Sequence, residues 1–340
     1  MKSFLRALSV AGGAGFALIA AFLLFSSPAH AANTTYYIDN RAGSNCSNSG
    51  PGTSPSAPWC DFTPVNSMTF GPGDRILLAR GATWNQQMTL NGAGSAGNYA
   101  EVGAYGTGDR PKIIRNGLAS DRGIRMNNPS YWKVSDLEIG YAGAGILVWF
   151  DTKFHEGLRF YNLYLHHNVG YVKDTTNPDK IFFSAGLVFT GNFASMGEDE
   201  YAVRDIIIDG VEGTRNQDSI SFDWQNGGSA GAGGVHQTVR DVILKNLYLH
   251  DDDGNGQSSS CSDSLRLVNM SNVTVMNSYL DNEAACYSAT GTAAVFFGRV
   301  QDVNFVNSIV MNTPNTGSPD MSAFDYEYRT ERVNIRNNFI

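Results

Sequence analysis

The last hundred residues repeat themselves, and that repetition constrains the fold more than any other feature. Four segments align: Val242-Ile-Leu-Lys-Asn-Leu-Tyr-Leu, Val273-Thr-Val-Met-Asn-Ser-Tyr-Leu, Val303-Asn-Phe-Val-Asn-Ser-Ile-Val and Val333-Asn-Ile-Arg-Asn-Asn-Phe-Ile. In each, an alternating strand pattern runs into an Asn and a second short apolar strand follows. The residues Asn246, Asn277, Asn307 and Asn337 stand 31, 30 and 30 positions apart. A fixed period in this range, built from β-type units, signals a solenoid of stacked coils. Asn suits a tight turn because it tolerates left-handed backbone angles, and its amide is expected to bond to its stacked copies. The expected fold is all-β, a right-handed parallel β-helix with a loop-rich N-terminal cap.

Composition agrees with many turns and a large core. Of 340 residues 42% are hydrophobic and 16% charged, and 37 are Gly. A net charge of -8 argues against a nucleic-acid partner, which would require a basic face. Residues 1–31 read as an export signal: Lys2 and Arg6, an apolar run from Leu8 to Phe25, and the small-x-small site Ala29-His30-Ala31. An uncleaved anchor is the alternative. After cleavage no membrane partner is expected, and the mature protein is expected to be a secreted or periplasmic monomer. Residues 32–110 form the cap and first strands, and 111–340 the coils. The chain stops at Ile340 in mid-coil, which suggests a fragment or a covering partner, since bare strand edges invite pairing.

All four Cys lie in the exported part. An oxidising compartment favours disulfides over metal thiolates. Three connectivities exist; Cys46–Cys60 closes a local loop, and Cys261–Cys286 would staple neighbouring coils.

One strand recurs along the chain as a small residue before an apolar, variable, apolar triplet: Gly123-Ile-Arg-Met, Gly145-Ile-Leu-Val, Gly186-Leu-Val-Phe, Ser219-Ile-Ser-Phe, Ser264-Leu-Arg-Leu, Ala294-Val-Phe-Phe and Ala323-Phe-Asp-Tyr. Successive side chains on a strand face opposite ways. The apolar pair therefore fills the bore, and Arg125, Leu147, Val188, Ser221, Arg266, Phe296 and Asp325 form an outer row facing solvent. Asp223 and Glu327 follow on the same side. Coil length varies from 22 residues (Ile124 to Ile146) to 45 (Ile220 to Leu265). The extra residues leave as loops, where sites are usually built: Asp151 to Glu156, Gly170 to Lys180, Asn192 to Tyr201, Asn226 to His236 and Asp251 to Ser262.

The segments Gly43-Ser-Asn-Cys-Ser-Asn-Ser-Gly, Gly52-Thr-Ser-Pro-Ser-Ala-Pro-Trp, Pro72-Gly-Asp-Arg-Ile-Leu-Leu and Gly103-Ala-Tyr-Gly-Thr-Gly resemble the opening of secreted pectin-lyase-like β-helix proteins. That superfamily includes pectate lyases, chondroitinase-B-like lyases and polygalacturonases. The resemblance implies the fold and a polysaccharide substrate; the reaction has to be argued from the site.

Asn216-Gln-Asp-Ser-Ile resembles the Asn-x-Asp-Gly-Ile element of polygalacturonases, whose Asp is catalytic. Cys261-Ser-Asp-Ser-Leu repeats the pattern one coil later, so Asp218 and Asp263 should stack about 5 Å apart. Such a pair shares a proton, binds a cation, or works as acid and nucleophile; the alternative is two polar turns bonding their own backbone. Gly-His-Gly and Arg-Ile-Lys, the other polygalacturonase elements, are missing. His250-Asp-Asp-Asp-Gly-Asn-Gly is the densest charge cluster: Asp251, Asp253 and Asn255 match the first half of a calcium loop, although the twelfth position is Ser262. It is a candidate calcium site, or else a solvated turn. Resemblance to pectate lyases implies calcium with a Lys or Arg base. Arg266, with Asp223 nearby, is the candidate base or clamp, or simply a surface counter-charge.

Three functions follow from these residues. The first is a lyase that cleaves an acidic, uronic-acid-containing polysaccharide by β-elimination, using Asp218, Asp223, Asp263 and Arg266 with calcium. The second is a glycoside hydrolase with paired carboxylates. The third is a non-catalytic glycan-binding or surface-attachment module.

Overall fold

A computed structural model describes residues 33–173, 181–192, 196–197, 199–224, 238–256, 261–289 and 291–340. The expected leader, the whole of the expected loop 226–236 and parts of three of the other four loops lie outside these residues. The chain winds as a right-handed parallel β-helix. One 16-stranded sheet and one 8-stranded sheet form its walls, and their neighbouring strands pair in parallel. A separate two-stranded antiparallel pair, Tyr171–Lys173 with Ile181–Phe183, stands off the coil. Residues Ala32–Ile340 form one compact unit. The opening strands Thr35–Ile38, Arg75–Ala79 and Ala100–Tyr105 are already rungs of the large sheet, with a single short helix at Thr63–Ser67.

The bore is filled by two vertical stacks that the triplets foretell. Ile124, Ile146, Leu187, Ile220, Leu265 and Val295 are register partners from rung to rung, and so are Met126, Val148, Phe189, Phe222, Leu267 and Phe297. All twelve are fully buried. The rings of Phe189 and Phe222 stack with centroids 4.4 Å apart.

The four repeated Asn residues do adopt left-handed angles, with φ between 52° and 57°. Their side chains, however, are exposed, and the Asn246 amide donates to Asp209 rather than to a stacked Asn. The buried polar ladder lies one residue later. Leu247 N–H donates to Ser278 Oγ (3.2 Å), Ser278 N–H to Ser308 Oγ (3.1 Å), and Ser308 N–H to Asn338 Oδ1 (2.8 Å). The left-handed residue turns the chain outward, so it is its successor that points into the coil.

The outer row has the register expected of it: Arg125, Leu147, Val188, Ser221, Arg266, Phe296 and Asp325 are successive Cα partners. Its exposure differs from expectation. Leu147 and Val188 are buried and join Ala144, Trp149 and Ala185 in a second small core on the outer face. Apolar outward side chains are stable only when covered. Ser221 and Phe296 are buried as well, so the row is partly open only at Arg125, Arg266 and Asp325 among the described residues.

Candidate functional site

Arg266 stands at the centre of the polar part of the row. Its Nη1 donates to Asp263 Oδ2, and its Nε lies 3.9 Å from Asp223 Oδ2. The guanidinium carbon sits 4.5 Å from the ring centre of Phe296, its partner on the next rung. Asp263 is held from its other oxygen as well, because Ala293 N–H donates to Oδ1 at 2.9 Å. The four residues singled out in the sequence are thus brought together, which their positions 218, 223, 263 and 266 alone do not require.

Their roles divide by burial. Asp218 is fully buried, with the hydroxyls of Ser262 and Ser221 as its neighbours. Burial pushes its carboxyl well above the usual carboxylate range; Arg266 opposes this and Asp263 reinforces it. Burial likewise raises Asp263 to about 6, against the pull of Arg266. Burial disfavours the charge on Arg266, but Asp263, Asp223 and Asp218 outweigh it and hold the guanidinium more firmly protonated. Of the roles expected for Arg266, a group held as a cation in this way suits the clamp or the counter-charge better than the base.

A pocket of about 240 Å³ opens beside this cluster, lined by Cys261, Ser262, Asp263, Arg266, Phe296 and, from the next coil, Asp320, Asp325, Glu327 and Tyr328. Asp218 and Asp223 are not on its wall. Phe296 supplies an apolar floor, and Tyr328 an exposed ring at the rim. Asp320, Asp325 and Glu327 each place a carboxylate oxygen within 4.8 Å of the others. Asp325 is raised by burial and then by the charges of Glu327 and Asp320. The alternation of the last triplet places Asp325 and Glu327 on the outer side. No sequence signal marks Asp320, which reaches the pocket from a loop.

Of the acidic loop expected to hold calcium, residues 257–260 lie outside the described residues. Asp251 accepts from Asn282 (2.7 Å) and pairs with His250 (3.0 Å). Asp253 lies 3.3 Å from the guanidinium of Arg215. Asn255 takes a left-handed turn, and Asp252 between the two acids points inward and is buried. Asp251, Asp253 and Asn255 are therefore supplied with protein partners or turn geometry. Among the described residues, the acidic group that could hold a metal ion is Asp320, Asp325 and Glu327.

Both expected disulfides are present. Cys46–Cys60 closes the N-terminal loop, and Cys261–Cys286 ties the loops that flank the pocket. They fit an oxidising compartment. Among the described residues no helix is long and apolar enough to cross a membrane.

Fold and site together define a parallel β-helix with an acidic, aromatic-floored pocket on its outer sheet. No family model matches the sequence. The chain is 28% identical over 230 residues to a lacto-N-biosidase of Bifidobacterium longum; the match covers 65% of this chain but only 12% of that much longer protein. Among solved structures it is similar to a GH136 lacto-N-biosidase from Eubacterium ramulus, with a TM-score of 0.50 and 15% identity, over 91% of this chain and 68% of that one. A pectate lyase aligns at a TM-score of 0.39 and 14% identity.

Proposed function

We propose that the pocket hydrolyses glycosidic bonds, with Asp325 as the general acid and Glu327 as the nucleophile. The observation that carries this reading is that Asp325 and Glu327, two residues apart on the outer face of one strand, both line the pocket, and that the proton of Asp325 is favoured by its neighbours. A retaining glycosidase sets its carboxyls about 5–5.5 Å apart, with the acid kept protonated by its surroundings. Arg266, pinned by Asp263 and Asp223, would orient a hydroxyl group, and the exposed Tyr328 would offer its ring to the apolar face of a sugar. The likeness in sequence to a lacto-N-biosidase supports hydrolysis over elimination.

The charge of the pocket bears on the substrate. Four carboxylates line it against one guanidinium that is already paired twice. A uronic acid would meet repulsion there, whereas a neutral glycan would find acceptors for its hydroxyls. The proposed substrate is therefore a neutral oligosaccharide or polysaccharide, in place of the acidic polymer expected from the sequence.

Incubation with a panel of neutral glycans should release reducing ends without ultraviolet-absorbing unsaturated products, and the first product should keep its anomeric configuration. Unsaturated products from a uronate polymer, lost on chelation, would establish the calcium-assisted lyase instead. That second reading has its own support in the Asp320, Asp325 and Glu327 oxygens, which are close enough to share one cation. Retention of a glycan without cleavage would leave a binding module.

A further inference from the structure

Each member of the outer row is followed, two residues later, by a second position on the same face. On the last four rungs that position is held by Asp223, Val268, Gly298 and Glu327. The side chain is thus missing on the rung where the outer row carries its one aromatic residue, Phe296. Gly298 is the register partner of Val268 on one side and Glu327 on the other. It is buried and stands behind the pocket wall.

A Cβ at Gly298 would lie 2.9 Å from Cε1 of the Phe296 ring and 3.5 Å from its Cζ, with Val268 Cγ2 at 3.3 Å. The tip of the ring therefore fills the space that a side chain would take. Backbone geometry does not call for glycine here. The residue lies inside the strand Ala293–Val306 with φ outside the left-handed region, where glycine weakens a strand.

The seated ring carries the Arg266 guanidinium 4.5 Å from its centre, and Arg266 in turn reaches Asp263 and Asp223. We propose that Gly298 is a positioning residue for the pocket: its missing side chain seats the Phe296 ring along its own strand, and the seated ring fixes the Arg266 guanidinium and keeps the pocket open. A ring driven from that slot has to move into the pocket or against the guanidinium, because the bore beneath is filled by Val295 and Phe297. Either shift alters how a sugar is held before it reacts, and so acts on binding.

The consequence for substrate rests on the hydrolase reading, whereas the seating of the ring does not, so the test has two parts. Urea unfolding would compare the wild type, Gly298→Ala, Phe296→Leu and the double variant. Leucine ends short of Cε1 and Cζ, the two ring atoms that a new methyl group would meet. Gly298→Ala should lower the unfolding midpoint in the wild-type background, and most of that loss should disappear in the Phe296→Leu background. An equal shift in both would overturn the proposal. Should Gly298→Ala fail to fold, recovery of the fold in the double variant would support the proposal, and failure there would overturn it.

On a neutral glycan, Gly298→Ala should raise KM about tenfold with little change in kcat, the factor that overpacking at one close contact commonly brings. The double variant should match Phe296→Leu alone. An unchanged KM in Gly298→Ala beside an active wild type would overturn the positioning role. A wild type without turnover would overturn the hydrolase reading instead, and the urea comparison would still decide whether Gly298 seats the ring.

Discussion

Arg266 and Phe296 are partners on adjacent rungs, and the guanidinium lies 4.5 Å above the centre of the ring. The contact leaves the edge of the guanidinium free for Asp263 and Asp223 while the ring covers one face. A cation held by two carboxylates and one ring is fixed in position, as a clamp must be.

Removing that cation should therefore be costly. Arg266→Ala leaves two buried carboxylates uncompensated, and breaking a buried pair in this way costs about 3–5 kcal/mol. Urea unfolding near neutral pH should show the loss. It should shrink in acid, because Asp263 takes up a proton at about pH 6 and no longer needs its partner.

Asp263 should also leave its own mark on the pH profile. Its carboxyl is raised to about 6, so the folded state holds a proton that the unfolded chain has released from about pH 4. Wild-type stability should decline between those values. In Asp263→Asn that part of the slope should vanish, as melting temperatures recorded across the range would show.

The proposed acid and nucleophile make a graded prediction. Asp325→Asn and Glu327→Gln should each lower turnover on a neutral glycan by about 10²–10⁴-fold without loss of fold. Asp320→Asn should be milder and should move the alkaline limb of the rate profile to lower pH, because the charge of Asp320 helps Asp325 keep its proton. An alkaline limb that stayed in place would remove Asp325 from the acid role.

In the bore, Phe222→Ala should cost about 3–5 kcal/mol, since its ring is fully buried and stacked on Phe189. Removal of the Cys261–Cys286 bridge should cost about 3–4 kcal/mol by the chain-entropy argument for a closed loop of that size. Equilibrium unfolding measures both, and the second should be reproduced by mild reductant.

The amino-acid order determined the coil. A strict step of 30 or 31 residues and triplets with apolar flanks fix which side chains enter the bore, because the two-residue alternation of a strand leaves no other assignment. Hence the register of the outer row from Arg125 to Asp325 was legible before any coordinates, whereas the disulfide pairing was one favoured choice among three. Tertiary structure decided what local pattern cannot encode. It buried Asp218 and kept it off the pocket wall, and it brought Asp320 from a loop to within reach of Asp325 and Glu327. It also gave Asp253 to Arg215. The physical reason is that burial and charge pairing depend on how coils of unequal length stack, and residues 30 or more positions apart become neighbours only once the chain has wound.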